Sequence, residues 1–161
     1  MFKRILVAAL LTLAGSGLAL AHEYKLGNLD IVHPWTRATP AGAKTGGGYL
    51  IVINKAATAD RLVSAASDVA GKVELHQMAV KDGVMTMQPL PDGVAIPANG
   101  KVEFKPGGYH VMFIDLKAPF KKGNKVKVHL TFEKAGATDV DFEVAGVGET
   151  APADPDHMHM N

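Results

Sequence analysis

The chain has 161 residues, with 17 lysines and arginines against 16 aspartates and glutamates, 47% hydrophobic residues and no cysteine. So even a charge balance offers nothing to attract nucleic acid or an anionic membrane surface. The missing cysteine rules out thiol chemistry, a thioredoxin-like redox motif, a zinc ribbon and a blue-copper centre, all of which need a thiolate.

At the start of the chain, Lys3 and Arg4 precede the apolar run ILVAALLTLA, and the small-residue sequence Ala19-Leu20-Ala21 follows it. This is the pattern of a secretory signal peptide over residues 1–21, cleaved after Ala21. The run is shorter than the roughly 20 residues a membrane span requires, so membrane insertion is not expected. Removing 21 residues from 161 leaves 140, and removing Lys3 and Arg4 leaves 15 basic residues against 16 acidic ones, a balance of −1. That length suits one domain, expected over residues 22–147.

After the signal the chain reads as short strands without helical periodicity. The expected strands, in order, are LDIVHPWTR, GGYLIVIN, DRLVSAAS, KVELHQMAV, VMTMQPL, KVEFKP, YHVMFIDL, KVKVHLTFE and TDVDFEVAG. Turn signals separate most of them: Asp82-Gly83, Pro91-Asp92-Gly93, Asn99-Gly100, Pro106-Gly107-Gly108 and Gly123-Asn124. An antiparallel sandwich or barrel follows from this spacing. In the first strand Trp35 is expected in the core, and Pro34 reads as an edge marker. From Gly148 onward the sequence GETAPADPDHMHMN has no apolar alternation, and residues 148–161 read as a flexible tail.

Methionine is the unusual residue. Apart from Met1, the methionines stand at positions 78, 85, 87, 112, 158 and 160, each near a histidine or opposite one across an expected turn. A two-residue Asp82-Gly83 turn pairs Lys81 with Val84, Val80 with Met85 and Met78 with Met87. His76, Met78, Met85 and Met87 then share one face, with His76 diagonal to Met87 at roughly 7–8 Å. In YHVMFIDL, His110 and Met112 share a face while Tyr109, Val111 and Phe113 take the other. Taken singly, each methionine reads as packing and each histidine as a solvated residue. Two His-x-Met pairs facing a Met-x-Met read together as a metal site.

Donor chemistry selects the metal. Neutral thioethers favour copper(I), imidazole accepts copper in either oxidation state, and the oxygen ligands that calcium or magnesium need are missing from this cluster. The alternative from a different class is an oxidative enzyme in which His22, the first residue after the signal, chelates copper(II) through its amine and imidazole; it needs a second histidine, His33 or His129, and a first residue after a signal is often incidental. His129 alternates with Val126 and Val128 and reads as solvent-facing. No zinc-protease His-Glu-x-x-His, Gly-x-Ser-x-Gly elbow or phosphate loop occurs, and the chain is not expected to be an enzyme.

The spacing His76, ten residues, Met87, 22 residues, His110-x-Met112 resembles that of the PCuAC periplasmic copper chaperones. The similarity extends through HPWTRATP, GGGYL, VELH, DGVMTM, PGGYHVM and LTFEKAG. It implies an all-β, cupredoxin-like Greek-key β-sandwich in the periplasm, holding copper(I) through His76, Met87, His110 and Met112. It also implies delivery to the copper centres of cytochrome c oxidase, with an apo copper-accepting oxidase domain or a thioredoxin-like chaperone of the Sco type as partner. Met78 and Met85 fall outside that ligand set. The terminal His157, Met158, His159 and Met160 suggest a second copper site, able to take copper(II). A copper buffer or uptake-associated binding protein without an oxidase client uses the same residues.

Overall fold

The computed structural model describes residues 23–150. It is an all-β, cupredoxin-like Greek-key sandwich with no helix among these residues. Its strands are β1 (Glu23–Leu26), β2 (Leu29–Arg37), β3 (Thr45–Asn54), β4 (Asp60–Ala66), β5 (Ala70–Lys81), β6 (Val84–Pro89), β7 (Val94–Ile96), β8 (Gly100–Phe104), β9 (Tyr109–Leu116), β10 (Lys125–Phe132) and β11 (Gly136–Ala145). All the expected strands are present. The two additional ones, β1 and β7, have four and three residues, too few for alternation to declare itself in the sequence.

Hydrogen bonding runs in the order β6-β5-β9-β8-β3-β2-β11-β10-β4-β7, with β1 beside β2. Two pairings are parallel, β11 with β2 and β8 with β9. The consecutive strands β4 and β5 stand near opposite ends of this ladder yet touch. The sheet therefore folds back on itself and encloses its apolar faces. Phe113 of β9 is the hub: it meets Phe120 edge-on at 5.3 Å and Phe142 of β11 at 6.2 Å. Leu50, Val52, Leu62, Val111, Val128 and Leu130 fill the rest of the closed interior.

Pro34 proves to mark a bulge and not an edge. β2 has β3 on one side and β1, then β11, on the other. Its register to β3 shifts between Val32 and Trp35, where His33 adopts a φ of 50°. A bulge is where an interior strand tolerates a residue that cannot donate to the ladder. The kink also turns Trp35 onto Tyr49, with ring centroids 4.7 Å apart, in a small cluster separate from the main core. Trp35 is buried as expected.

Beyond the last strand, the Glu149 side chain accepts hydrogen bonds from the Gly146 amide at 2.7 Å and from Lys122 at 2.5 Å. Its carbonyl accepts one from Arg37 at 2.8 Å. Gly148 and Glu149, the first residues of the expected tail, are thus held on the domain. Residues 151–161 lie outside those described.

Close packing makes one glycine indispensable. A Cβ on Gly48 would fall 2.7 Å from Phe142 and 3.0 Å from Phe113, where β3 crosses the aromatic hub. Gly48→Ala is expected to lower stability by about 1–3 kcal/mol through overpacking, read as a drop in the urea midpoint at unchanged slope.

Candidate metal centre

The hairpin joining β5 to β6 has the expected register, with Lys81 opposite Val84, Val80 opposite Met85 and Met78 opposite Met87. Asp82 and Gly83 both have positive φ, 52° and 77°. That is the conformation of a two-residue turn whose twist matches the strands it joins, and Asp-Gly favours it.

On its other side β5 pairs antiparallel with β9, placing His76 directly opposite His110, Glu74 opposite Met112 and Leu75 opposite Val111. Residues directly opposite share a face. One face therefore carries His76, Met78, Met85, Met87, His110, Met112 and Glu74, while Leu75, Val111 and Phe113 lie on the other, in the core. The sequence reading of strand parity is met at each of these positions.

Both imidazoles are buried, at 8% and 5% exposure, although they lie on the face away from the core. Their ring centroids are 5.7 Å apart and the planes are tilted by 58°. His76 Nε2 donates to Glu74 Oε2 at 2.7 Å, and His110 Nδ1 donates to the Gly108 carbonyl at 3.2 Å. A carboxylate and a carbonyl only accept, so in the neutral rings these nitrogens hold the protons. The lone pairs are left on His76 Nδ1 and His110 Nε2. Those are the two side-chain nitrogens that are buried without a hydrogen-bond partner among the described residues. Such an orphaned group costs about 1–3 kcal/mol, and two on facing rings need an explanation.

Electrostatics favours the neutral, coordinating form of His110. Burial pulls His110 below its ordinary pKa of 6.5, against the Gly108 bond that raises it, and the neighbouring His76 lowers it further. Glu74 is held below the usual carboxylate range, first by Lys72 and then by His76. It therefore remains an acceptor that orients the His76 ring, as carboxylates beside metal-bound histidines do.

Among the described residues no three His, Cys, Asp or Glu side chains gather closely enough to hold a metal ion. The other potential donors that share this face are the thioethers of Met78, Met85, Met87 and Met112. On this face Met87 is 45% exposed and Met112 partly buried, while both imidazoles are buried. Met85 is 60% exposed nearer the hairpin tip, and Met78 partly buried.

The other singled-out residues stand apart. His129 is hydrogen-bonded to Asp139 at 2.6 Å on the exposed outer face of β10, and His33 is exposed at the β2 bulge. His22, His157, Met158, His159 and Met160 lie outside the described residues. Sequence reasoning missed Glu74 and the Gly108 carbonyl. Glu74 carried a usable signal, since it precedes His76 by two positions and so shares its face. The Gly108 carbonyl carried none, because a main-chain acceptor has no residue type to betray it.

Residues 29–144 match the LpqE-like family. The protein Lxx21020 of Leifsonia xyli subsp. xyli, whose name carries the word lipoprotein, is 34% identical over 116 residues, spanning 72% of this chain and 69% of that protein. The copper-bound PCuAC domain from PmoF2 is similar in structure, with a TM-score of 0.67 and 31% identity, covering 78% of this chain and 99% of that one. The solution structure of CuI-DR1885 from Deinococcus radiodurans superposes with a TM-score of 0.57 at 26% identity, covering 78% and 82%. A chain matched over so much of its length, in sequence and in fold, belongs to the LpqE-like family of PCuAC domains.

Proposed function

We propose that this protein is an exported copper(I) chaperone that holds its cargo through His76 Nδ1, His110 Nε2 and the sulfurs of Met87 and Met112. The observation that carries the reading is the pair of buried, orphaned imidazole nitrogens on directly opposite residues, on a face that also carries four thioethers. Four neutral donors, two of them soft, suit copper(I) and disfavour calcium, magnesium and zinc. The copper-bound PCuAC domain from PmoF2 and CuI-DR1885 support the cargo assignment by likeness.

Release proceeds by ligand exchange. The histidines are rigid, since each ring's other nitrogen is tied to Glu74 or Gly108, whereas Met87 is exposed and unbranched, so an acceptor's ligands displace sulfur first. The acceptor we favour is an apo copper-accepting domain of cytochrome c oxidase or a thioredoxin-like Sco-type chaperone. In this reading His157, Met158, His159 and Met160 provide a second, weaker site able to take copper(II). Export is supported by the signal pattern of residues 1–21 and by the word lipoprotein in the names of the family and of one relative; periplasmic location and cleavage after Ala21 rest on the signal pattern alone.

Anaerobic copper(I) titration with X-ray absorption tests the centre. One tight site of mixed nitrogen and sulfur ligation is expected, kept when the chain ends at Thr150 and lost in Met112→Ala; a domain that takes up no copper(I) would reduce the His-x-Met strand to packing. Glu74→Ala, which frees the His76 ring, should weaken copper(I) binding about 10- to 100-fold while leaving the nitrogen and sulfur ligand count unchanged. A variant of full affinity would show that Glu74 does not orient the ring.

The pH dependence has a defined sign. Because the folded pKa of His110 lies below its ordinary value of 6.5, the unfolded chain binds the proton first as pH falls. Stability present above that value is then lost progressively below it. Copper(I) competes with the same protons. Both the urea midpoint of the apoprotein and its copper(I) affinity should therefore fall between about pH 7 and pH 5, and an affinity that stays constant over that range would remove the histidines from the ligand set.

A further inference from the structure

The face that carries the metal centre has two more thioethers than four-coordinate copper(I) uses, and they are arranged in order. Met87 is diagonal to His76, Met78 is directly opposite Met87, and Met85 is one diagonal step beyond Met78 toward the hairpin tip, opposite Val80. Neighbours of this kind are spaced by roughly 4.5–5.5 Å when opposite and about 7–8 Å when diagonal, distances that unbranched methionine side chains can close. The two ends of the line differ in exposure, 8% and 5% at the two histidines against 60% at Met85, with Met87 at 45% and Met78 partly buried between them. Beyond His76, this face of the hairpin offers only Met78, Val80, Met85 and Met87. No oxygen or charged nitrogen interrupts the sulfurs.

We propose that Met78 and Met85 form an exit path, passing copper(I) by successive thioether exchange from the buried histidines to the tip of the β5–β6 hairpin. The inference rests on the copper(I) reading of the centre. At each step one copper–sulfur bond forms to the incoming thioether as one bond to an outgoing ligand breaks. The ion stays at +1, no electron moves, and no proton is released because a thioether carries none. Outward motion through the hairpin is the open direction, since the imidazoles are anchored from behind by Glu74 and Gly108. β6 is an edge strand, so an acceptor can approach Met85 without displacing any part of the fold. Met78 and Met85 thus act on the rate of transfer and not on the strength of holding.

The test separates those two quantities. The full-length protein loaded with one copper(I) is mixed anaerobically with bathocuproine disulfonate in stopped flow, and affinity is measured in parallel by equilibrium competition. The Met78→Leu/Met85→Leu double variant is expected to keep its affinity within about threefold while transferring copper about tenfold more slowly. Val84→Ala, which alters an exposed apolar neighbour without sulfur, should transfer at the wild-type rate. A double variant that transfers as fast as wild type would overturn the path. So would an affinity that falls in step with the rate, because the two methionines would then be ligands of the resting site. If the wild-type protein takes up no copper(I), or if Met112→Ala leaves its site intact, the copper(I) reading itself fails and the path fails with it.

Discussion

The antiparallel register between β5 and β9 is the constraint on which the candidate metal centre depends. Leu75 opposite Val111 and Val73 opposite Phe113 lie on the core face, and burial of these side chains sets the pairing. Because side chains alternate with a period of two, slipping either strand by one residue would turn that strand's core residues outward and bring its histidine into the core. The facing of His76 and His110 is thus a by-product of hydrophobic packing on the reverse side of the same two strands. The aromatic contacts of Phe113 with Phe120 and Phe142 hold β9 against the opposite layer, and so stabilise the centre without touching it.

On the outer face, stability and function pull in opposite directions. Burying two imidazole nitrogens without partners opposes folding, while the hydrogen bonds to Glu74 and Gly108 recover part of that cost and fix which nitrogens stay bare. The two rings are held side by side, 5.7 Å between centroids, with their unpartnered nitrogens already buried, which would limit the reorganisation needed to bind a cation. The thioethers differ in kind, being flexible, partly or largely exposed and free of proton equilibria.

The position of the centre at the edge of the sheet matters as much as its ligands. β6 presents an uncharged, exposed strand of the sequence VMTMQP, the sort of edge that proteins usually blunt with charge or cover with other chain. Leaving it open carries a risk of unwanted association and gives access to the sulfur side of the site. The opposite end of the ladder shows the usual protection, since β7 has only three residues.

Local chemistry was readable from the residues alone. The Asp82-Gly83 turn dictated the hairpin register, and with it the common face of His76, Met78, Met85 and Met87, because a two-residue turn leaves only one pairing consistent with strand twist. Parity likewise separated His110 and Met112 from Val111 and Phe113, and donor softness pointed to copper(I). Strands as short as β1 and β7, with no buried position and two respectively, left no pattern to read, and the part Pro34 plays depended on which strands flank β2. Only the tertiary structure decided that β5 lies against β9, that His76 meets His110, and that Glu74 and the Gly108 carbonyl claim the far nitrogens. Pairing between strands some thirty residues apart is settled by burial summed over the whole sandwich, a non-local quantity that no stretch of sequence contains.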